Sequence, residues 1–292
     1  MEPDILRVPV EPGQLHVERY GHGGEAIVLL HSFATCTFMW RAIAPEIALR
    51  GDTALCVDLL GYGESDRPID ADYGVAAQAE YLDQAFTALR IGRAAVVGVD
   101  LGAAVALRLA ATRPDRVKRL VLINPPDPER YPGEEISALQ TNTARFAIRV
   151  SQGLLGAAPL LTPFLQGSVF TPEKMPERLI ARYLAPFVGK EGVRHLLMLA
   201  RSLRSDDLED IELNAITAPT TIIWGESDKW LDPKIADKLA GQLASARVVR
   251  LPAVGRLAPE EVPERVLELV RSVPRTAHAD EGMSAQRREP VA

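Results

Sequence analysis

Gly98-Val99-Asp100-Leu101-Gly102 lies between an apolar run at 94–97, read as a buried strand, and an alanine-rich run at 103–111, read as a helix. This is the spacing of a nucleophile elbow, with an aspartate where a serine is usual. A sharp strand-to-helix turn pushes one side chain into a pocket, and the two glycines relieve the crowding around it. An ionised carboxylate held there serves as a nucleophile or as a proton acceptor. The structural alternative is that Asp100 caps the helix that follows, a role in which aspartate is favoured.

An elbow needs a sheet to carry it. Strand-like runs at 14–20, 26–31, 53–60, 94–97 and 119–124 alternate with helix-like runs at 38–49, 75–90 and 103–111. Continuous apolar strands separated by helices predict a mostly parallel sheet covered on both faces, an α/β fold. Between 127 and 212 the β pattern stops. Leu, Ala and Arg recur at helical spacing between prolines, which predicts an inserted lid of four or five helices. Strands at 220–224 and 248–251 and helices at 233–243 and 259–273 then resume the alternation. The expected organisation is a core of 1–126 and 213–274, a helical cap of 127–212 and a disordered polar tail of 275–292.

The chain has 292 residues, 47% hydrophobic and 25% charged, which suits one α/β domain with a lid. A net charge of −6 leaves no basic footprint for nucleic acid. No apolar stretch approaches the roughly 20 residues of a membrane span, and the acidic start Met1-Glu2-Pro3-Asp4 does not read as a signal peptide. Cys36 and Cys56 are the only cysteines, read as free thiols of a cytoplasmic protein. The expected partner is a small hydrophobic molecule, with the chain a monomer or homodimer and no cofactor.

Several motifs in order resemble the α/β-hydrolase superfamily. Leu29-Leu30-His31-Ser32-Phe33 is similar to its oxyanion segment, and Asp58-Leu59-Leu60-Gly61-Tyr62-Gly63-Glu64-Ser65 to its D-x-x-G-x-G-x-S turn. The elbow comes next, then a lid. Trp224-Gly225-Glu226-Ser227-Asp228 resembles the segment bearing the triad acid, and Leu251-Pro252-Ala253-Val254-Gly255-Arg256 the segment that ends in Gly-His. An elbow aspartate is similar to epoxide hydrolases and to haloalkane or haloacetate dehalogenases, whose carboxylate attacks an sp3 carbon to form an ester. Trp40, nine residues after His31, fits their pattern.

The resemblance implies a site. Asp100, Asp228 and Arg256 come together as a catalytic group, and the N–H groups of Phe33 and Leu101 form an oxyanion hole. His31, Ser32, Trp40, Tyr131, Tyr183 and Trp230 are candidates for substrate contact; Tyr131 and Tyr183 fall in the lid, where epoxide hydrolases keep phenols that protonate the leaving oxygen. Asp127 is an alternative acid position and Glu226 a weaker one. No metal is implied.

Arg256 is the departure. A guanidinium cannot act as a general base near neutral pH. None of His16, His22, His31, His195 and His278 is an obvious substitute. The main expectation is therefore a non-hydrolytic enzyme (cyclisation, isomerisation or elimination of a small hydrophobic or polyketide-like molecule), with Asp100 as base or nucleophile and Arg256 as electrostatic clamp. The alternatives are a hydrolase of epoxide, carbon–halogen or ester bonds with a non-standard base, and a catalytically silent binding protein.

Overall fold

The apolar runs form the centre of an eight-stranded sheet, ordered β1-β2-β4-β3-β5-β6-β7-β8, in a computed structural model that describes residues 1–141 and 156–272. The strands are β1 (Asp4–Val10), β2 (Gly13–Tyr20), β3 (Ala26–Leu30), β4 (Thr53–Val57), β5 (Ala94–Val99), β6 (Val117–Ile123), β7 (Thr220–Gly225) and β8 (Ala246–Leu251). β2 pairs antiparallel with β1 and β4, and every pairing from β4 through β8 is parallel. Neighbouring residues of one strand feed opposite faces. Val28, Leu30 and Val96 join one core, Ile27, Leu29 and Val97 the other. Burial on both faces explains why these strands read as unbroken apolar runs.

Helices α1 (Ala44–Leu49), α2 (Val75–Ala88), α3 (Leu101–Thr112), α8 (Lys234–Gln242), α9 (Ala258–Glu261) and α10 (Pro263–Ser272) accompany the sheet. Between β6 and β7 the described residues hold four α-helices: α4 (Glu134–Gln140), α5 (Ala158–Gly167), α6 (Glu177–Leu184) and α7 (Gly189–Ser202). Gln140 ties α4 to the end of α7 by donating to the carbonyls of Ala200 and Leu203, each at 2.8 Å. His195 on α7 lies 2.6 Å from the Gly61 carbonyl, and Arg67 donates to the Pro186 carbonyl at 2.9 Å, so these helices are fastened to the sheet side. No helix of the described residues is long and apolar enough to cross a membrane.

Three readings need correction. β1 was not anticipated: it is an edge strand with a mostly exposed pattern and a proline, so it lacks the apolar signal of the inner strands. The helix expected at 38–49 is a 3-10 turn (Thr37–Trp40) followed by α1, which restarts with Pro45 in its first turn. The helix expected at 259–273 is split into α9 and α10 at Pro263, whose missing N–H interrupts a continuous ladder. The tail expected at 275–292 lies outside the described residues.

Candidate active site

The carboxyl ends of β3, β5, β6, β7 and β8 converge, the usual location for a ligand site in an open α/β sheet. The elbow stands at the centre. Asp100 adopts φ 50° and ψ −110°, a left-handed backbone that costs a non-glycine residue about 1–3 kcal/mol. The turn tolerates no side chain at either of its glycines. A Cβ on Gly98 would lie 2.2 Å from the Gly102 carbonyl oxygen, and one on Gly102 would lie 2.6 Å from the carbonyl oxygens of His31 and Leu30.

Asp100 does not cap α3: its side chain makes no capping hydrogen bond. Its Oδ2 instead accepts from the Ser32 hydroxyl at 2.7 Å and the Phe33 N–H at 3.2 Å. Its Oδ1 faces Arg256, whose Nη1 is 3.4 Å away. The two carboxylate oxygens thus have different surroundings, one held by the oxyanion segment and one turned toward a cation.

Arg256 is completely buried and engages three carboxylates. Its Nε donates to Asp228 Oδ2 at 3.0 Å and its Nη2 reaches Asp228 Oδ1 at 3.4 Å, a side-on bidentate pairing. Its Nη1, besides facing Asp100, donates to Glu135 Oε1 at 2.5 Å. The guanidinium also sits 5.1 Å from the centre of the Trp230 ring. Burial alone would lower its pKa; Asp100, Asp228 and Glu135 more than reverse that, so the group stays a cation throughout the physiological range.

Asp228 is itself held in place. It accepts from Asn124 Nδ2 at 3.0 Å and from the N–H groups of Trp230 and Leu231 at 3.0 and 3.3 Å. Asn124, just past β6, has a positive φ of 42° and is locked to Gly225 by a donated bond of 3.3 Å and an accepted one of 2.8 Å. Sequence reading missed Asn124 and Glu135. Asn124 carries a faint signal, since asparagine tolerates the left-handed region at a strand end. Glu135, in the first turn of α4, looks like any acidic residue at a helix start.

A cavity of about 10 Å3 lies against Asp100, walled by Phe33, Leu101, Pro126, Tyr131 and Glu135 among others. That volume is about enough for a single water. Two buried polar atoms of its wall, the Tyr131 hydroxyl and Glu135 Oε2, have no hydrogen-bond partner among the described residues. Burial first, and nearby carboxylates including Asp100 and Glu135 second, push the Tyr131 pKa upward, which keeps the phenol protonated.

The other expected contacts fall elsewhere. His31 is fully buried, its Nδ1 2.8 Å from the Ser32 carbonyl and its Nε2 accepting from the Leu59 N–H at 3.1 Å, so both ring nitrogens are used to hold loops together. Burial lowers its pKa to about 4. Ser32 contacts Asp100 and does not line the cavity. Trp40 packs in the core with Met39 and Ile43. Tyr183 is buried in the same core and donates to Glu260, so of the two lid phenols only Tyr131 lines the cavity. Trp230 touches the site through Arg256 and packs against Phe164. Asp127 instead binds Lys238 at 3.0 Å and the Glu129 N–H at 3.1 Å. Glu226 lies 3.8 Å from Arg250, away from the cluster.

Comparison with known proteins agrees with this architecture. Residues 25–263 match the family model described as alpha/beta hydrolase fold. A haloalkane dehalogenase of Mycobacterium marinum is 28% identical over 240 residues, covering 78% of this chain and 74% of that protein. The crystal structure of haloalkane dehalogenase DbeA from Bradyrhizobium elkani superposes with a TM-score of 0.78 at 26% identity, covering 92% of this chain and 98% of that one. The epoxide hydrolase CorEH, at 20% identity, shares the fold with a TM-score of 0.79 over 93% of this chain and 98% of its own. With the sheet order, the elbow and these matches together, the chain belongs to the α/β-hydrolase fold family.

Proposed function

We propose that the chain is a hydrolase that attacks an sp3 carbon of a small apolar molecule with Asp100, with an epoxide as the favoured substrate class. The observation that carries this reading is the division of labour within one carboxylate. Oδ2 is fixed by Ser32 and Phe33, while Oδ1 is directed toward Arg256 beside the cavity. Attack by Oδ1 breaks a carbon–oxygen bond and places negative charge on the leaving oxygen. The Tyr131 hydroxyl in the cavity wall, which has no hydrogen-bond partner among the described residues, is suited to donate a proton there. Arg256, anchored by Asp228, supplies fixed positive charge next to the reacting oxygens.

The relatives favour hydrolysis over the cyclisation, isomerisation or elimination that a fixed cation invites. The free, buried Cys36 and Cys56 support a reducing, cytoplasmic setting. Incubation of wild-type protein and Asp100→Asn with styrene oxide, and separately with 1-bromobutane, tests the reading. Diol formation by wild type and none by Asp100→Asn is expected. Bromide release without diol formation would reassign the protein as a dehalogenase. Equal diol formation by both proteins would remove Asp100 from the chemistry, and no product from either would favour a silent binding protein.

A further inference from the structure

We infer that Glu135 is the residue that activates water for the second half of the reaction, the cleavage of the ester on Asp100. This rests on the hydrolytic reading above and names the group it lacks. Ester cleavage needs a proton acceptor next to the Asp100 carbonyl carbon. Arg256 has no acceptor atom, and His31 spends both ring nitrogens on backbone groups. Glu135 reaches the site from α4. Its Oε1 and the Asp100 Oδ1 sit on the same Arg256 Nη1, at 2.5 and 3.4 Å, which brings both carboxylates within reach of one bridging water. Its other oxygen, Oε2, is buried and has no partner among the described residues. A buried carboxylate oxygen without a donor is costly, and a water donating to it would satisfy it. Both carboxylates wall a cavity that holds about one water.

The step balances. In the first half, Asp100 Oδ1 bonds to the epoxide carbon, the ring carbon–oxygen bond breaks, and Tyr131 gives its proton to the released oxygen. In the second half, water adds to the Asp100 carbonyl carbon and Glu135 takes its proton. The resulting oxyanion lies at the Phe33 N–H and the Ser32 hydroxyl, which already hold Oδ2. Collapse breaks the ester bond. The departing alcohol oxygen takes the proton from Glu135, and the acid proton left on Asp100 returns to the Tyr131 phenolate. Epoxide and water have become a diol, and every residue is restored.

The experiment is intact-mass analysis and steady-state turnover of the full chain with styrene oxide, for wild type, Glu135→Gln and Glu135→Ala. Two variants are used because the amide keeps the shape and the alanine leaves no new polar group; thermal unfolding of each checks the fold. Wild type should make diol repeatedly and return to its free mass. Both variants should release no more than a trace of diol and accumulate one covalent adduct per chain, with turnover lowered by about 10²–10⁴. Wild-type turnover in either variant would overturn the assignment. So would a wild-type protein that itself stalls as the adduct, a result that leaves Asp100 as nucleophile but denies Glu135 its role. Absence of both adduct and diol in all three proteins would overturn the assignment together with the epoxide reading beneath it.

Discussion

Arg256 grips Asp228 through two nitrogens, Nε at 3.0 Å and Nη2 at 3.4 Å, and so leaves its third nitrogen to face the elbow. Asp228 therefore orients a buried positive charge toward Asp100. Because that charge neutralises several buried carboxylates, its removal should be felt in stability first. Arg256→Met leaves Asp100, Asp228 and Glu135 facing one another without compensation. Breaking a buried ion cluster from one side costs about 3–5 kcal/mol. Urea denaturation should show a loss of that size, and a loss below about 1 kcal/mol would mean the cluster is not closed in solution.

The two lid tyrosines should separate cleanly. Tyr131→Phe removes the hydroxyl in the cavity wall and should lower diol formation from styrene oxide by about 10²–10⁴ while sparing stability. Tyr183→Phe removes a bond to Glu260 far from that wall. It should cost about 1.5–3 kcal/mol in unfolding free energy and leave turnover unchanged. The opposite pattern would mean that Tyr183 reaches the substrate in the working enzyme.

Gly98→Ala tests the elbow as a steric device. Its methyl would sit 2.2 Å from the Gly102 carbonyl oxygen, at the start of a helix packed on the sheet. Overpacking commonly costs 1–3 kcal/mol, and a backbone clash this close should cost about 3 kcal/mol or more. The readout is the unfolding midpoint. Gly92→Ala, where an added Cβ meets nothing within 4 Å, is the control.

Two buried groups, Asp58 and His31, pull stability in opposite directions as pH changes, and a single substitution separates them. Burial raises the Asp58 pKa from 3.8 to about 7, so its contribution is complete at acid pH and is lost as pH rises toward 7. Burial lowers His31 from 6.5 to about 4, so its contribution is complete above 6.5 and is lost as pH falls toward 4. The slopes oppose each other between those limits. His16, 3.4 Å from Asp58 and also lowered by burial, acts in the same direction as His31. Asp58→Asn should therefore become more stable by about 3 kcal/mol as pH rises from 4 to 6.5. A flat profile in that variant would contradict the burial of His31.

The elbow was legible because its constraint is local: glycines two residues to either side of Asp100 report a turn that leaves room for nothing larger. The inner strands were legible because burial on both faces writes an unbroken apolar run. β1 was not, since an edge strand is mostly solvated and its partner register is set by the hairpin with β2. Trp40 and Tyr183 were misplaced for a shared reason. A large aromatic side chain looks the same in sequence whether it walls a pocket or fills a core, and only topology decides which. Glu135 was beyond reach because its side chain meets Arg256 and the cavity beside Asp100 only through the tertiary placement of α4, 35 positions from Asp100 in sequence.

The chamber that the described residues leave beside Asp100 holds about one water, so an organic molecule would enter it by displacing one of those walls. The wall that bears Glu135 is also a latch, since α4 is pinned to the buried guanidinium at one end and, through Gln140, to α7 at the other. If Asp100 attacks a substrate as proposed, entry of that substrate would separate Glu135 from Arg256, and closure for the step assigned to Glu135 would remake the pair. Solvent viscosity and ionic strength, rather than the reactivity of the carbon centre, would set the pace of such an enzyme.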